Sequence, residues 1–356
     1  MISNPKSRTG LVERGLWWLA ATLIALLLSG LQLTITAPYR LTSFERMAHF
    51  AAVEPFQHRV LVPAIAAAIQ RIAPLGDRLV FGSLEVLSWL LLVALAYRVL
   101  GVFRITTSET LRRALALSLM IPLAIVVLMP DLWLTPTFQP GAGPLELGDW
   151  GARTLFYYPY DLPAAAFTLA MLLGLISWAN QPSVWRLLGL GALFAIATVN
   201  RETTLFLIPM AALILAPSVP VARLGLALGA LLALYVAVQW PLHWLFADHV
   251  NPHAGLGSTD YEIHIYENLR LLSQPFYLLT APVRFMGGCW LVVLLWWGYI
   301  ERRLQAAVLG LVVPLVLAGL VIGRIAEHRI FIEAVPLLWL AGLQAMRGRI
   351  EAERQP

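Results

Sequence analysis

Long uncharged apolar runs recur along this chain and constrain its fold more than any other feature. Several reach ~18 residues or more, the length at which a helix can cross a lipid bilayer. Of the 356 residues, 59% are hydrophobic and 13% are charged, whereas a soluble domain usually carries about a quarter charged residues. We therefore expect an all-α, polytopic transmembrane helical bundle that forms a single integral membrane domain over residues 1–356.

The apolar runs predict about ten membrane spans, at roughly 15–36, 79–101, 114–131, 161–178, 187–199, 203–217, 224–246, 285–300, 305–323 and 329–345. A further helical stretch, about 56–73, is short and interrupted, so we expect it to lie along the outer membrane surface or to be re-entrant. The first run is longer than the apolar part of a signal peptide. We interpret it as a retained signal anchor.

Basic residues near the span ends predict the orientation of the bundle. Under the positive-inside rule, the short loops and tails that carry them are cytoplasmic, together with both termini. The residues concerned are Lys6, Arg8, Arg14, Arg104, Arg112, Arg113, Arg186, Arg223, Arg302, Arg303, Arg347 and Arg349. All seven histidines and fifteen of the 20 acidic residues then fall on the outer side or in the outer half of a span. We expect any chemistry on that outer face, which is periplasmic if the membrane is a bacterial inner membrane.

Several other classes of function find little support. Lys6 is the only lysine and the arginines are scattered, so we expect membrane lipids and no nucleic acid as partners. The single cysteine, Cys289, excludes a disulfide within the chain and a cysteine metal site. Asp260, Glu262 and His264 would share one face of an extended segment. They leave a metal site open, but we favour a solvated loop and expect no metal or cofactor. The oligomeric state is unknown from sequence.

The stretch "ATVNRETTLF" places the charged residues Arg201 and Glu202 inside an apolar run. A single helix there would put Arg223 and every later basic loop on the wrong side. A hairpin turning at residues 200–202 avoids this, with arms of ~20 Å, shorter than the ~30 Å hydrocarbon core. Two interpretations stay open: a self-paired turn in which Asn200 caps the second arm, or an anion site in which Arg201 binds a phosphate and Glu202 orients it or acts as a base.

The segment "FERMAHFAAVEPFQHRVLVP" carries candidate catalytic groups. A carboxylate and a histidine recur four residues apart, which places both on one helix face: Glu45 with His49, and Glu54 with His58. Pro55 after Glu54 is typical of a helix start. With Arg59 adjacent, this pattern suits proton transfer beside a bound anion, although charges of an interfacial helix facing water give the same pattern.

The segment "GRIAEHRIFIEAVP" repeats this chemistry near the last span. Two pairs are spaced four residues apart: Arg324 with His328, and Arg329 with Glu333. An Arg329–Glu333 salt bridge is one interpretation. The other is that Arg59, Arg201 and Arg329 converge on one anion, because each lies at an outer helix end.

The segment "DWGARTLFYYPYDLP" contains three tyrosines where a span begins, Tyr157, Tyr158 and Tyr160. An aromatic belt at the membrane surface is the favoured role, and stacking of Tyr158 or its neighbours on a sugar ring is the alternative. Asp149 and Asp161 are further candidate acids. Glu85, inside the second span near its outer end, is placed to face the same cavity.

The layout of these features resembles the GT-C class of membrane glycosyltransferases, on the strength of "FERMAHFAAVEPFQHRVLVP" and "VNRET". The resemblance implies a sugar donor linked to polyprenyl phosphate. It implies that Glu54 or Glu45 is the base and that Arg59, Arg201 and Arg329 hold the lipid phosphate. Unlike the family, the first outer loop has no Asp-x-Asp pair, and no large soluble domain follows the spans.

Two other functions stay open. A transporter or flippase of an anionic lipid-linked substrate would also use buried arginines, but the inner halves of the spans offer almost no polar path. Inverted-repeat transporters often have two matched broken helices, and only one short hairpin is recognisable here. The third possibility is a non-catalytic accessory membrane subunit.

Overall fold

The computed structural model describes residues 5–36, 42–52, 56–128, 157–248, 263–323, 325 and 327–354. Within these ranges the regular structure is entirely helical, with no strand. Eight helical stretches are long and apolar enough to cross a membrane, and two of them, Glu109–Leu128 and Tyr277–Leu295, combine consecutive α-helices. The predicted all-α class is confirmed, and the chain is an integral membrane protein.

The α-helices of the described ranges are α1 (Pro5–Ile35), α2 (Phe44–Ala48), α3 (Leu61–Ile72), α4 (Asp77–Val102), α5 (Glu109–Ser118), α6 (Met120–Leu128), α7 (Asp161–Asn180), α8 (Val184–Asn200), α9 (Leu207–Leu215), α10 (Val221–Leu245), α11 (Ile265–Leu272), α12 (Pro275–Arg284), α13 (Cys289–Leu295), α14 (Arg302–Val321) and α15 (Val335–Glu353). Short 3-10 helices cover Phe56–His58, Glu202–Phe206, Phe285–Gly288, Trp297–Tyr299 and His328–Ala334.

Helices occupy all ten predicted spans, and the two arms of the predicted hairpin are short. These arms are α8 and the stretch Glu202–Leu215, neither of which reaches the length of the eight long helices. The number of complete crossings therefore stays a prediction.

The first outer stretch is divided differently from the prediction. Its α-helix starts at Leu61, because Val60 N–H donates to Val199 C=O (3.0 Å) and ties this backbone to the end of α8. A 3-10 helix already covers Phe56–His58, directly after the helix start predicted at Pro55. Glu54 and Pro55 themselves lie outside the described residues.

The predicted continuous span 285–300 is also wrong. The helical region begins ten residues earlier, at Pro275, and is interrupted at Phe285–Gly288, where Met286, Gly287 and Gly288 have φ of 52°, 64° and 76°. Gly287 lies against Pro122, whose Cβ would be 2.5 Å from a Cβ added to the glycine. A left-handed backbone in such close contact requires glycine. The available sequence signal was the Gly287–Gly288 pair, which lies within an otherwise apolar run.

Polar contacts identify the two ends of the bundle. At one end Arg113 C=O accepts from Trp17 Nε1 (3.0 Å), and Arg303 donates to Asn180 (3.0 Å). This arginine-rich end contains arginines predicted to be cytoplasmic. The opposite end carries the turn between α8 and α9 and is called the turn end below. Helices α7 and α15 are the most buried of the long helices, whereas α10 is peripheral.

The α9–α14 contact gives a test of the packing. A Cβ added to Gly310 would lie 2.5 Å from Met210 Cα, whereas Gly225 on the peripheral α10 faces open space. We predict that Gly310→Leu lowers the free energy of unfolding by about 1–3 kcal/mol, because backbone must move to accept the side chain. The matched Gly225→Leu should stay within about 0.5 kcal/mol. Thermal unfolding in detergent measures both, and equal melting temperatures would contradict this packing.

Candidate functional site

Four segments of the chain meet at the turn end. They are the residues after Phe56–His58, the segment leading into α7, the turn between α8 and α9, and the 3-10 helix before α15. Their charged and aromatic side chains form one group, called the ion-pair cluster below: Arg59, Tyr158, Tyr160, Asp161, Arg201, Glu202, Glu327, Arg329 and Glu333. Five of these were predicted site residues: Arg59, Tyr158, Arg201, Glu202 and Arg329.

The turn that carries Arg201 confirms the predicted hairpin. Arg201 has an extended backbone (φ −160°, ψ 137°) that ends α8, and its C=O accepts from the Thr204 hydroxyl (2.8 Å). Asn200 Nδ2 donates to Tyr160 C=O (3.0 Å). The self-paired turn is therefore wrong, since Asn200 joins α8 to α7 instead of capping the second arm.

The Arg201 side chain is neutralised by two carboxylates from other helices. Nη1 donates to Asp161 Oδ1 at 3.2 Å, and Nε lies 3.9 Å from Glu333 Oε1. Glu333 also accepts from the Thr203 hydroxyl. The Arg201 side chain is only 3% exposed. Since its charge is satisfied within the protein, Arg201 acts as the anchor of the turn end rather than as an accessible contact for an anion.

Arg59 and Glu202 form a bidentate pair across 143 residues of sequence. Arg59 Nε lies 3.0 Å from Glu202 Oε2, and Nη2 lies 2.5 Å from Oε1. The Arg59 guanidinium also stacks over the Tyr160 ring, 4.6 Å from its centroid. Exposure of the two side chains is 11% and 27%. Glu202 therefore orients Arg59, not Arg201 as predicted.

Arg329 pairs with Glu327 and not with Glu333. Arg329 Nη2 donates to Glu327 Oε2 at 2.6 Å, and its guanidinium lies 3.4 Å from the centroid of the Tyr158 ring. The predicted Arg329–Glu333 bridge is wrong because residues 328–334 form a 3-10 helix, which does not align residues four apart. The Arg329 side chain is 12% exposed, so Arg59 and Arg329 are the more accessible arginines of the cluster.

The three tyrosines are buried inside the protein, so the predicted aromatic belt is wrong. Tyr158 stacks on Phe56 (5.4 Å) and has Arg329 over its ring, so both neighbours compete with a sugar for its faces. Tyr157 donates to Phe81 C=O (3.3 Å). Burial raises the pKa of Tyr158 and of Tyr160, so both phenols stay neutral at neutral pH.

The charges of the cluster nearly balance. Its described members comprise three arginines and four carboxylates. Burial lowers the pKa of Arg59, but Glu202 and Tyr160 raise it by more, and the resulting pKa lies well above the usual range. Arg59 therefore stays charged. An anion that binds here competes with protein carboxylates for guanidinium groups that are already oriented.

Both predicted His-Arg dyads are split by the fold. The His58 ring stacks on His243, with centroids 4.0 Å apart, whereas Arg59 enters the cluster. The His328 ring is buried and stacks on Tyr277 at 5.9 Å, whereas Arg329 enters the cluster. Neighbouring side chains on a 3-10 turn point in different directions.

The remaining candidates lie apart or outside the described ranges. Glu45 is exposed on α2, next to the exposed Arg46. Glu54, Arg324, Asp149, Asp260 and Glu262 lie outside the described residues. His264 pairs with Glu267 at 3.1 Å, and the described ranges contain no group of three or more metal-ligating His, Cys, Asp or Glu.

Sequence reasoning missed the role of Asp161 and Glu327 as arginine partners. Asp161 was recognised only as a further acid and Glu327 as a residue between two others. The available signal was the free-energy cost of burying a charged group, because a carboxylate at a span end needs a partner. Their arginines lie far away in sequence or on a turn, which no local spacing rule identifies.

The anchoring role of Arg201 gives a stability prediction. Arg201→Gln removes the cation from two buried carboxylates, which should lower the free energy of unfolding by about 3–5 kcal/mol. Asp161→Asn in the same chain should recover part of this loss, because one uncompensated charge disappears. The exposed Arg71 on α3 is the control, and Arg71→Gln should change stability by less than about 0.5 kcal/mol. Similar melting temperatures for Arg201→Gln and Arg71→Gln would refute the anchor.

Comparison with known proteins gave no matching family model, no similar curated protein and no similar solved structure. A functional assignment therefore rests on the residues of the cluster and their chemistry.

Proposed function

We propose that this protein is a membrane glycosyltransferase of the GT-C type. It moves a sugar from a polyprenyl-phosphate-linked donor to an acceptor at the turn end, which is the outer, periplasmic face of a bacterial inner membrane, with both termini cytoplasmic. The observation that carries the proposal is the position of Arg59 and Arg329, the two more accessible arginines of the ion-pair cluster, over adjacent tyrosine rings.

The geometry supports a phosphate between these two arginines. The Tyr158 and Tyr160 rings that they cover have centroids 5.6 Å apart. A guanidinium binds phosphate oxygens bidentately in the same geometry that it uses for a carboxylate. A bound phosphate therefore takes the place of Glu202 or Glu327, whose side chains are 27% and 22% exposed.

The proposed transfer needs one base and one stabilised leaving group. The acceptor oxygen forms a bond to the anomeric carbon, the bond from that carbon to the phosphate oxygen breaks, and the phosphate leaves with the electron pair. Arg59 and Arg329 stabilise its added charge. A carboxylate takes the proton of the acceptor. We assign this role to Glu54, which precedes Arg59 by five residues, with Glu45 as the next candidate.

Transport is the second candidate, favoured by one observation. The interruption at Phe285–Gly288 gives the chain a second broken helix besides the turn at Arg201, and paired broken helices are typical of inverted-repeat transporters. Labelling of both ends of the bundle separates the two functions, because a transporter alternates its exposed end whereas a transferase does not.

The phosphate site predicts a specific loss of binding. Arg59→Gln and Arg329→Gln should each weaken the binding of polyprenyl phosphate about tenfold or more, because each removes charged hydrogen bonds of about 1.5–3 kcal/mol. The exposed Arg71→Gln again serves as the control and should bind normally. Binding is measured with purified protein in nanodiscs, and equal affinities for all three variants would contradict the proposed site.

The same preparation tests the base. Glu54→Gln should bind polyprenyl phosphate normally but lose transfer from a lipid-linked sugar, since the amide accepts no proton. Full transfer activity in this variant would remove Glu54 from the mechanism and direct attention to Glu45.

A further inference from the structure

Glu85 is a further buried acid besides Asp161 and Glu333, and the proposed reaction does not use it. It lies on α4, eight residues after Asp77, or ~12 Å along the helix. Its side chain is buried, and neither carboxyl oxygen has a hydrogen-bond partner within the described ranges. An ionisable group at such a position normally has a partner or a function.

The surroundings of Glu85 are polar but uncharged. The side chains of Tyr157, Ser29 and Trp89 lie next to its carboxyl group. Gln32 lies one turn farther along the same face of α1 as Ser29. Ser29 Oγ, Gln32 Oε1 and Trp89 Nε1 are buried, and none of them has a hydrogen-bond partner in the described part of the chain. The contact between α1 and α4 thus holds several polar atoms around a single carboxyl group.

The helices packed against α4 bring no cation to Glu85. Between Gly15 and Ile35, α1 has no charged residue, and α7 contributes an acid, Asp161. On α4 itself, Arg78 donates to Leu33 C=O (3.1 Å). Also on α4, Asp77 accepts from Gln70 and Arg98 is exposed. The charged groups of the other helices are exposed or paired at the arginine-rich end: Glu45 and Arg46 of α2, Arg71 of α3, Glu109, Arg112 and Arg113 of α5, and Arg347, Arg349, Glu351 and Glu353 of α15.

We propose that Glu85 is a proton-binding site inside the membrane domain, linked to the ion-pair cluster through Tyr157. An ionised carboxylate removed from water with no cation beside it is far more costly than the neutral acid. The proton also supplies an O–H donor next to Ser29 Oγ, an acceptor that has no other partner within the described ranges. Both arguments favour the protonated group.

Tyr157 provides the link because burial and, after it, the charges of Glu85 and Asp161 raise the pKa of its phenol. Asp161 in turn holds Arg201. Loss of the proton from Glu85 therefore adds a negative charge beside Tyr157, and the described members of the cluster already have one more carboxylate than arginine. The inference holds whatever reaction the cluster performs.

Infrared difference spectroscopy of the purified full-length protein tests the site directly. At neutral pH the wild type should show a carboxylic-acid C=O band that shifts in D₂O, and Glu85→Gln should lack that band. The control is Glu109→Gln, because Glu109 is paired with Arg112 and Arg113 and should contribute no such band. A band of unchanged intensity in Glu85→Gln, or its absence from the wild type, would overturn the proposal.

Two further variants retain the carboxyl group in case Glu85→Gln does not fold. Ser29→Ala should shift the frequency of the band by removing a neighbouring hydroxyl, and an unshifted band would overturn its assignment to Glu85. Tyr157→Phe tests the link: the pH at which the band disappears should change, because the hydroxyl group next to the Glu85 carboxyl group is lost. An unchanged midpoint between about pH 5 and pH 9 would overturn the link.

Discussion

The neutralisation of Arg201 by Asp161 and Glu333 is the interaction on which the turn end depends. A charged side chain at membrane depth costs on the order of 2.5–3.5 kcal/mol on insertion scales unless it is paired. Pairing Arg201 with one acid at the start of α7 and another just before α15 joins the short hairpin to the two most buried long helices. The segments that bring Arg59 and Arg329 to the same end are positioned by this anchor.

The cluster separates charges that organise the fold from charges that can meet a substrate. Arg201 is almost fully buried, whereas Arg59 and Arg329 retain some exposure and have partners, Glu202 and Glu327, that are more exposed still. Arginines held by a carboxylate and an aromatic ring are already oriented when a phosphate arrives, which lowers the reorganisation that binding requires. The disadvantage is that the phosphate competes with a protein carboxylate for the guanidinium group and must displace it.

Much of the architecture could be predicted from the sequence, because apolar runs and the positive-inside rule report local and topological constraints. The hairpin at Arg201 and the grouping of Arg59 and Arg329 near it followed from that reasoning. The carboxylate partners of these arginines could not be predicted in this way. Glu202 pairs across 143 residues, and Glu333 turns to Arg201 because the 3-10 helix before α15 breaks the four-residue spacing. The Gly287–Gly288 pair is a sequence signal for the interruption at Phe285–Gly288, but the contact with Pro122 on another helix could not be predicted.

The central claim is that Arg59 and Arg329 receive a phosphate while Arg201 stays paired. A cryo-electron microscopy structure of the protein in nanodiscs with polyprenyl phosphate tests it most directly. The account predicts phosphate oxygens within ~3 Å of both guanidinium groups, Glu202 or Glu327 displaced, and the Arg201–Asp161 pair unchanged. A phosphate bound elsewhere, with all three arginines still on their carboxylates, would contradict the account.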